Sequence, residues 1–214
     1  MPYLPYAERV IEYYSHDNSK LNPPEALARF QKLSGQYKDT DASYEERSRL
    51  FFDYLTFDFA SGPYRSILHR YFVECVDKIR RENLADIMRG FLASHPSVFD
   101  ITRMKSDTVT LKDLIGNGIF KLPLPEGAYG FVEGGVINAR LISFKGSLVL
   151  GHGLLLHPEL ASPLINKLIQ DLRKENILSW KSFHLLARMK MQYDMSPSFK
   201  LSSIYSPRSF LIKR

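Results

Sequence analysis

Cysteine is almost missing from this chain: Cys75 is the only one in 214 residues. One thiol excludes an internal disulfide and any metal site built from several cysteines. Long apolar runs are missing too. No window approaches the uninterrupted stretch of about eighteen apolar residues that spans a bilayer. The N-terminus, Met1-Pro2-Tyr3-Leu4-Pro5-Tyr6-Ala7-Glu8-Arg9, has no basic region followed by an apolar one, so it does not read as a secretory signal. These absences lead to an expectation of a cytoplasmic protein without a membrane span. Neither phosphate-loop pattern, strand-GxGxxG-helix or GxxxxGK[ST], occurs, and there is no Gly-x-Ser-x-Gly elbow for acyl transfer. No catalytic residue, metal ligand set or cofactor is nominated.

Acidic residues are scarce in one place. From Asn176 onward Lys181, Arg188, Lys190, Lys200, Arg208, Lys213 and Arg214 face only Asp194. The whole net charge of +6 therefore falls in this stretch, and residues 1–175 balance. Such asymmetry points to an anionic partner, with a solvated basic tail as the alternative. The hydrophobic share of 44% and charged share of 24% are ordinary for a chain that buries a core.

The periodicity divides the chain. Residues 1–96 read as helices. Tyr6 to Ser15 carries Val10, Ile11 and Tyr14 on one side, and Asn22-Pro23-Pro24-Glu25 starts a helix bearing Leu27, Phe30 and Leu33. Ser43-Tyr44-Glu45-Glu46 has the form of a capping box. Ile67, Leu68, Tyr71, Phe72, Cys75, Val76 and Ile79 predict one helix of three turns, with Cys75 an inert small hydrophobe on its stripe. Asn83 is placed to cap a helix through Leu92, which His95-Pro96 ends.

After Pro96 the period falls to two. Val98 to Arg103, Val109 to Leu111, Ile119 to Leu122, Val136 to Phe144 and Ser147 to Leu150 read as short strands, with Gly116-Asn117-Gly118 and Lys145-Gly146 as tight turns. The expectation is an α+β fold in which residues 97–156 form a small antiparallel meander or barrel. Residues 157–193 are expected as helices, one opening at His157-Pro158-Glu159 with Leu160, Leu164, Leu168 and Leu172 at i+4 spacing, the last running from Ser179 to Tyr193. Residues 194–214 form a basic segment too apolar, with Phe199, Leu201, Ile204, Tyr205, Phe210, Leu211 and Ile212, to be a simple disordered tail. These four regions are read as one integrated unit.

Three constellations invite chemistry. His152 and His157 flank the exit from the last strand, and with Glu159 they could bind zinc. Five-residue spacing across a loop fixes no common face, so a glycine-permitted bend with two unrelated histidines is the alternative. Asp53 and Asp58 sit among the aromatics of Phe51-Phe52-Asp53-Tyr54-Leu55-Thr56-Phe57-Asp58-Phe59. Burial there would raise their pKa values, although capping or backbone hydrogen bonding is the commoner use. Aromatics interleaved with Arg103, Lys105, Lys112, Lys121, Arg140 and Lys145 on a β surface suit single-stranded nucleic acid, though no RNP signature is present.

Phe51 to Asp58, the helix from Ile87 to Leu92, Val98-Phe99-Asp100-Ile101, Val109 to Leu114 and Gly135 to Leu141 occur in an order that resembles uncharacterised bacterial proteins often ending in a SEC-C zinc-binding motif. The resemblance spans about Ser48 to Glu159. It implies a cytoplasmic protein with helices before a β unit. With one cysteine this chain lacks the SEC-C motif, so no zinc site is implied.

The leading expectation is a non-enzymatic binding protein for an anionic partner, RNA or a ribonucleoprotein. Its contacts would be Arg140 and Lys145 on the β unit with Lys181, Arg188, Lys190, Lys200 and Arg208 behind it. A protein–protein assembly subunit docking through its C-terminal segment is the alternative, and an enzyme with an unrecognised site the third reading.

Overall fold

The structure is a computed structural model that describes residues 1–17, 20–124 and 128–206. Arg208, Phe210, Leu211 and Ile212 lie outside the described residues. Helices come first: α1 (Leu4–Tyr14), α2 (Pro23–Ser34), α3 (Tyr44–Phe57), α4 (Ile67–Glu74), α5 (Val76–Arg81) and α6 (Ala85–Leu92). Strands β1 (His95–Met104), β2 (Thr108–Asp113), β3 (Ile119–Pro123), β4 (Val136–Phe144), β5 (Ser147–Leu150) and β6 (Leu155–Leu156) follow. A 3-10 turn (Glu159–Ala161) leads into α7 (Ser162–Lys174), α8 (Lys181–Met195) and α9 (Leu201–Ile204). The fold is α+β, and the switch of period near Pro96 is where helix gives way to sheet.

Several helix ends differ from the sequence-based expectation. Asn22 does cap α2, its side chain accepting from the Glu25 N–H at 3.1 Å. Ser43 is not a side-chain cap: its φ of −93° and ψ of 10° do not give the extended backbone usual at an N-cap. Asn83 adopts a positive φ of 55° and leaves the cap position of α6 to Leu84. The three-turn helix expected through Cys75 is two helices, broken where Cys75 takes φ −109° and ψ 26°. The break turns Val76 outward while Cys75 stays buried. Leu160 is 80% exposed in the 3-10 turn, so the buried stripe of α7 is Ile165, Leu168, Ile169 and Leu172.

All strand pairs are antiparallel, in the order β3-β2-β1-β4-β5, with β6 also on β4. Edge strands β3 and β5 approach each other, so the sheet curls into a half-barrel. Lys145 and Gly146 both take positive φ, 49° and 79°, as a two-residue hairpin between right-twisted strands requires. β4 is covered on both faces. Ile137, Ala139 and Leu141 point into the curl with Phe99, Ile101, Val109 and Leu111. Val136, Asn138, Arg140, Ile142 and Phe144 alternate with them and meet the helices, where Val136 packs with α7 and α8 and Ile142 with Phe144 joins the cluster of α1, α3, α4 and α6. Phe183, Ala187 and Met191 of α8 lie in that same cluster, and Ile204 and Tyr205 pack with Leu186 and Met189 of α8, so the core crosses every region boundary drawn from the sequence.

The strand opposite β4 is interrupted. Leu141 pairs with Leu150, and Asn138 pairs with Leu155. That is three steps on β4 against five on its neighbour, so two extra residues bulge out between β5 and β6. Glycine is demanded there by space. A Cβ on Gly151 would lie 2.6 Å from Asp53 Oδ2, and one on Gly153 would lie 2.7 Å from Leu50 Cα in the backbone of α3.

Candidate functional site

The seven basic residues nominated from sequence separate into different roles. Arg140 is buried. Its Nη2 donates to Asp58, its Nη1 donates to Ser94 Oγ at 3.2 Å, and its guanidinium lies 4.7 Å from the Phe57 ring centroid. It is not available as a surface contact. Arg188 donates to the Lys32 carbonyl in the last turn of α2. Lys190 donates to both Asp194 oxygens at 2.7 Å and lies 3.9 Å from Glu46. Lys145, Lys181 and Lys200 are exposed, and Arg208 falls outside the described residues. Of the four described cations after Asn176, Arg188 and Lys190 are therefore engaged at the contacts of α8 with α2 and α3, while Lys181 and Lys200 remain exposed.

A different group of cations is brought together by strand register. Arg103, Thr110 and Lys121 lie side by side across β1, β2 and β3, and Asp100, Lys112 and Ile119 form the neighbouring row on the same face. Directly opposed side chains on one face sit about 5 Å apart at Cβ and diagonal ones about 7 Å. A bulge between Ile101 and Arg103 is what turns Arg103 onto this face, because strict alternation from Ile101 would send it into the curl. Arg103, Lys112, Ile119 and Lys121 are all exposed. Arg103 and Lys121 have no ion pair among the described residues. Burial raises the Asp100 carboxyl, and Lys112 opposite draws it back down. Periodicity alone named these cations, but without the bulge it could not put Arg103 beside Lys121.

The histidine pair does not form a ligand set. Both His157 nitrogens are engaged inside the protein: Nε2 with Asn138 Oδ1 at 2.8 Å and Nδ1 with Tyr205 Oη at 2.9 Å. Asn138 Nδ2 donates to the Phe183 carbonyl at 2.6 Å, which fixes its Oδ1 as the acceptor. The proton of His157 is therefore on Nε2, and Nδ1 accepts from Tyr205. Burial pushes the His157 pKa down to about 3, keeping the ring neutral. His152 instead packs edge-on against Phe52 at 5.9 Å, and Glu159 is exposed. Among the described residues no group of three or more His, Cys, Asp or Glu side chains could hold a metal ion.

Asp53 and Asp58 belong to a buried polar junction between α3 and the bulge. Asp53 Oδ2 accepts from the Gly153 N–H at 2.9 Å, and the His152 N–H donates to the Tyr3 hydroxyl beside it. Burial raises the Asp53 pKa to about 6, against the opposing pull of Arg140 and the Gly153 N–H. Asp58 is raised as well by burial, while its ion pair with Arg140 works the other way and a quarter of its side chain (25%) stays exposed. Asp53, Asp58, Arg140 and His184 surround a cavity of about 10 Å³, the size of one water molecule. Asp53 Oδ1, Arg140 Nε and both His184 nitrogens have no hydrogen-bond partner among the described residues. The space is too small for a substrate, so the junction joins α3, β4 and α8 rather than forming an active site.

A half-open cleft of about 400 Å³ lies between α4, α6 and the end of α3. Leu92 and the half-buried Phe72 give it accessible apolar surface, with the buried Phe57, Leu68 and Phe91 behind them. Its polar groups are Arg65, Ser66, His69 and Ser94. Sequence reading missed this cleft, since its residues come from three segments with no common motif.

Among the described residues no helix is long and apolar enough to cross a membrane. Comparison with protein-family models, curated proteins and solved structures finds no match, and the resemblance to the SEC-C-bearing bacterial proteins stays an expectation.

Proposed function

We propose that this is a non-enzymatic, cytoplasmic binding protein that holds RNA through phosphate contacts on the exposed face of β1, β2 and β3. The observation that carries the reading is the register placing Arg103, Lys112 and Lys121 on adjoining positions, with Asp100 in the same two rows and the Glu133 carboxylate on the neighbouring Met104 N–H at 2.6 Å. Three like charges on one small surface repel, so an anion laid across them relieves a cost the free protein bears. Among the described residues these two rows carry Thr110 and Ile119 but no aromatic ring, so contact is with the backbone of the nucleic acid and base preference is weak. Of the C-terminal basic residues, only exposed ones such as Lys181 and Lys200 are available to extend this field.

Filter binding of a mixed-sequence single-stranded RNA across a salt series tests the reading. Affinity should fall with salt, the log–log slope steepening by about 0.7 for each phosphate neutralised. The triple variant Arg103→Ala/Lys112→Ala/Lys121→Ala should flatten that slope by about 2 while its thermal unfolding stays close to wild type. The variant Lys145→Ala/Lys181→Ala, off this face, should keep most of the wild-type slope. Absence of binding at low salt, or a triple variant with the wild-type slope, refutes the proposal.

A further inference from the structure

The cleft between α4 and α6 has a chemical bias that its shape alone does not show. Each of its polar side chains presents a hydrogen-bond donor. Ser94 Oγ accepts from Arg140 Nη1, which leaves its O–H to donate elsewhere. Ser66 Oγ likewise accepts from the His69 N–H at 3.1 Å and keeps its own proton to give. His69 Nδ1 accepts from the Arg65 N–H at 3.4 Å, so the ring proton sits on Nε2 as another donor. The Arg65 guanidinium is exposed and has no ion pair among the described residues. No acidic side chain lines the space. Asp58, next in sequence to Phe57, is paired with Arg140.

From this we infer that the cleft is a binding site for a small organic carboxylate with an aromatic body. Its ring would lie against Phe72 and Leu92 over the edge of Phe57, and its carboxylate would be held by Arg65, His69 and Ser94. Neutral or cationic ligands of the same shape leave these donors unsatisfied and so are discriminated against. The volume of about 400 Å³ lies in the range of small-molecule pockets. Arg65 lies on the rim, where a planar fork can meet a carboxylate with two parallel bonds. The inference is independent of RNA binding by the sheet, which involves none of these residues.

Titration of the ¹⁵N-labelled full chain with 2-naphthoate, and separately with 2-naphthamide, tests it. Naphthoate should shift the amide signals of Ser66, His69 and Ser94, and naphthamide should bind about ten-fold more weakly, the factor of one charge-assisted hydrogen bond. Arg65→Ala should weaken naphthoate by a similar factor and leave naphthamide unchanged. Leu92→Glu, which sets a carboxylate at the exposed edge of the cleft, should abolish naphthoate binding without altering the rest of the spectrum. Equal affinity for acid and amide, naphthoate shifts confined to other regions, or no shift at about millimolar naphthoate would each overturn the inference. RNA binding should be the same in Arg65→Ala as in wild type, so either proposal can fail alone.

Discussion

His184 offers a sharp test of how buried polarity sets the pH dependence of this fold. Its ring lies among Phe30, Tyr54, Trp180 and Phe183, with centroids 6.1, 5.9, 5.5 and 5.2 Å away. Neither ring nitrogen has a partner among the described residues. Burial, then the charges of Arg140 and Arg47, lowers its pKa from 6.5 to about 3. A folded pKa below the unfolded one means that the unfolded chain takes up the proton first as the solution is acidified. The stability this group contributes is fully present above pH 6.5 and is lost as pH falls from 6.5 toward 3. Between about pH 7.5 and about pH 5 the loss is about 2 kcal/mol. His157 shifts in the same direction and adds a comparable loss. Asp53 opposes them. Its folded pKa is raised, so protonation of the folded state returns about 1.4 kcal/mol over the same interval. His184→Phe should therefore unfold in urea with near-wild-type or higher stability at about pH 7.5, because it removes two unpartnered polar atoms from an aromatic nest. At about pH 5 it should be more stable than wild type by about 2 kcal/mol beyond any difference at neutral pH. A variant with the wild-type pH slope would show that His184 is not held neutral by burial.

Two further substitutions probe the joints of the fold. Gly153→Ala should cost about 1–3 kcal/mol in chemical denaturation, because its methyl meets the α3 backbone and neither side can yield; unchanged stability would show that α3 does not press on the bulge. Tyr205→Phe should cost about 1–3 kcal/mol, since it leaves His157 Nδ1 buried without its donor. If that variant matches wild type, the C-terminal segment is not tied to the sheet through His157.

The sequence showed the order of elements because the change from 3.6 to 2 is a local property. Asn22 and the Lys145-Gly146 turn were legible for the same reason. What it hid is long-range. Cys75 lies on an unbroken apolar stripe, yet the chain breaks there, leaving Tyr71 buried on α4 and Ile79 buried on α5. Leu160 fits the i+4 pattern of α7 but precedes the helix. Asp53 and Asp58 were visible as carboxylates among aromatics. Arg140, which pairs with Asp58 and whose charge also reaches Asp53, is 82 residues from Asp58 and looked like one more surface cation on a strand. The alternation of β4 put Asn138 and Arg140 on one face, and only the helices covering that face show that it is interior.

Charge counted along the chain and charge displayed at the surface are thus different quantities. The carbonyls ending α2 are met by two guanidinium groups. Arg188 donates to Lys32 O, and the fully buried Arg47 donates to Ser34 O and, at 3.2 Å, to Ala187 O in α8. Cations at a helix C-terminus satisfy carbonyls that have no intrahelical partner and oppose the negative end of the dipole. Arg188 is used in this way and Lys190 pairs with Asp194, so two of the four described cations after Asn176 serve the fold rather than an anionic partner. Arg103, Lys112 and Lys121 have no such employment. They stand on a solvated sheet face where nothing in the fold requires three positive charges, and a charge cluster without a structural use is the better indicator of what the surface is built to meet.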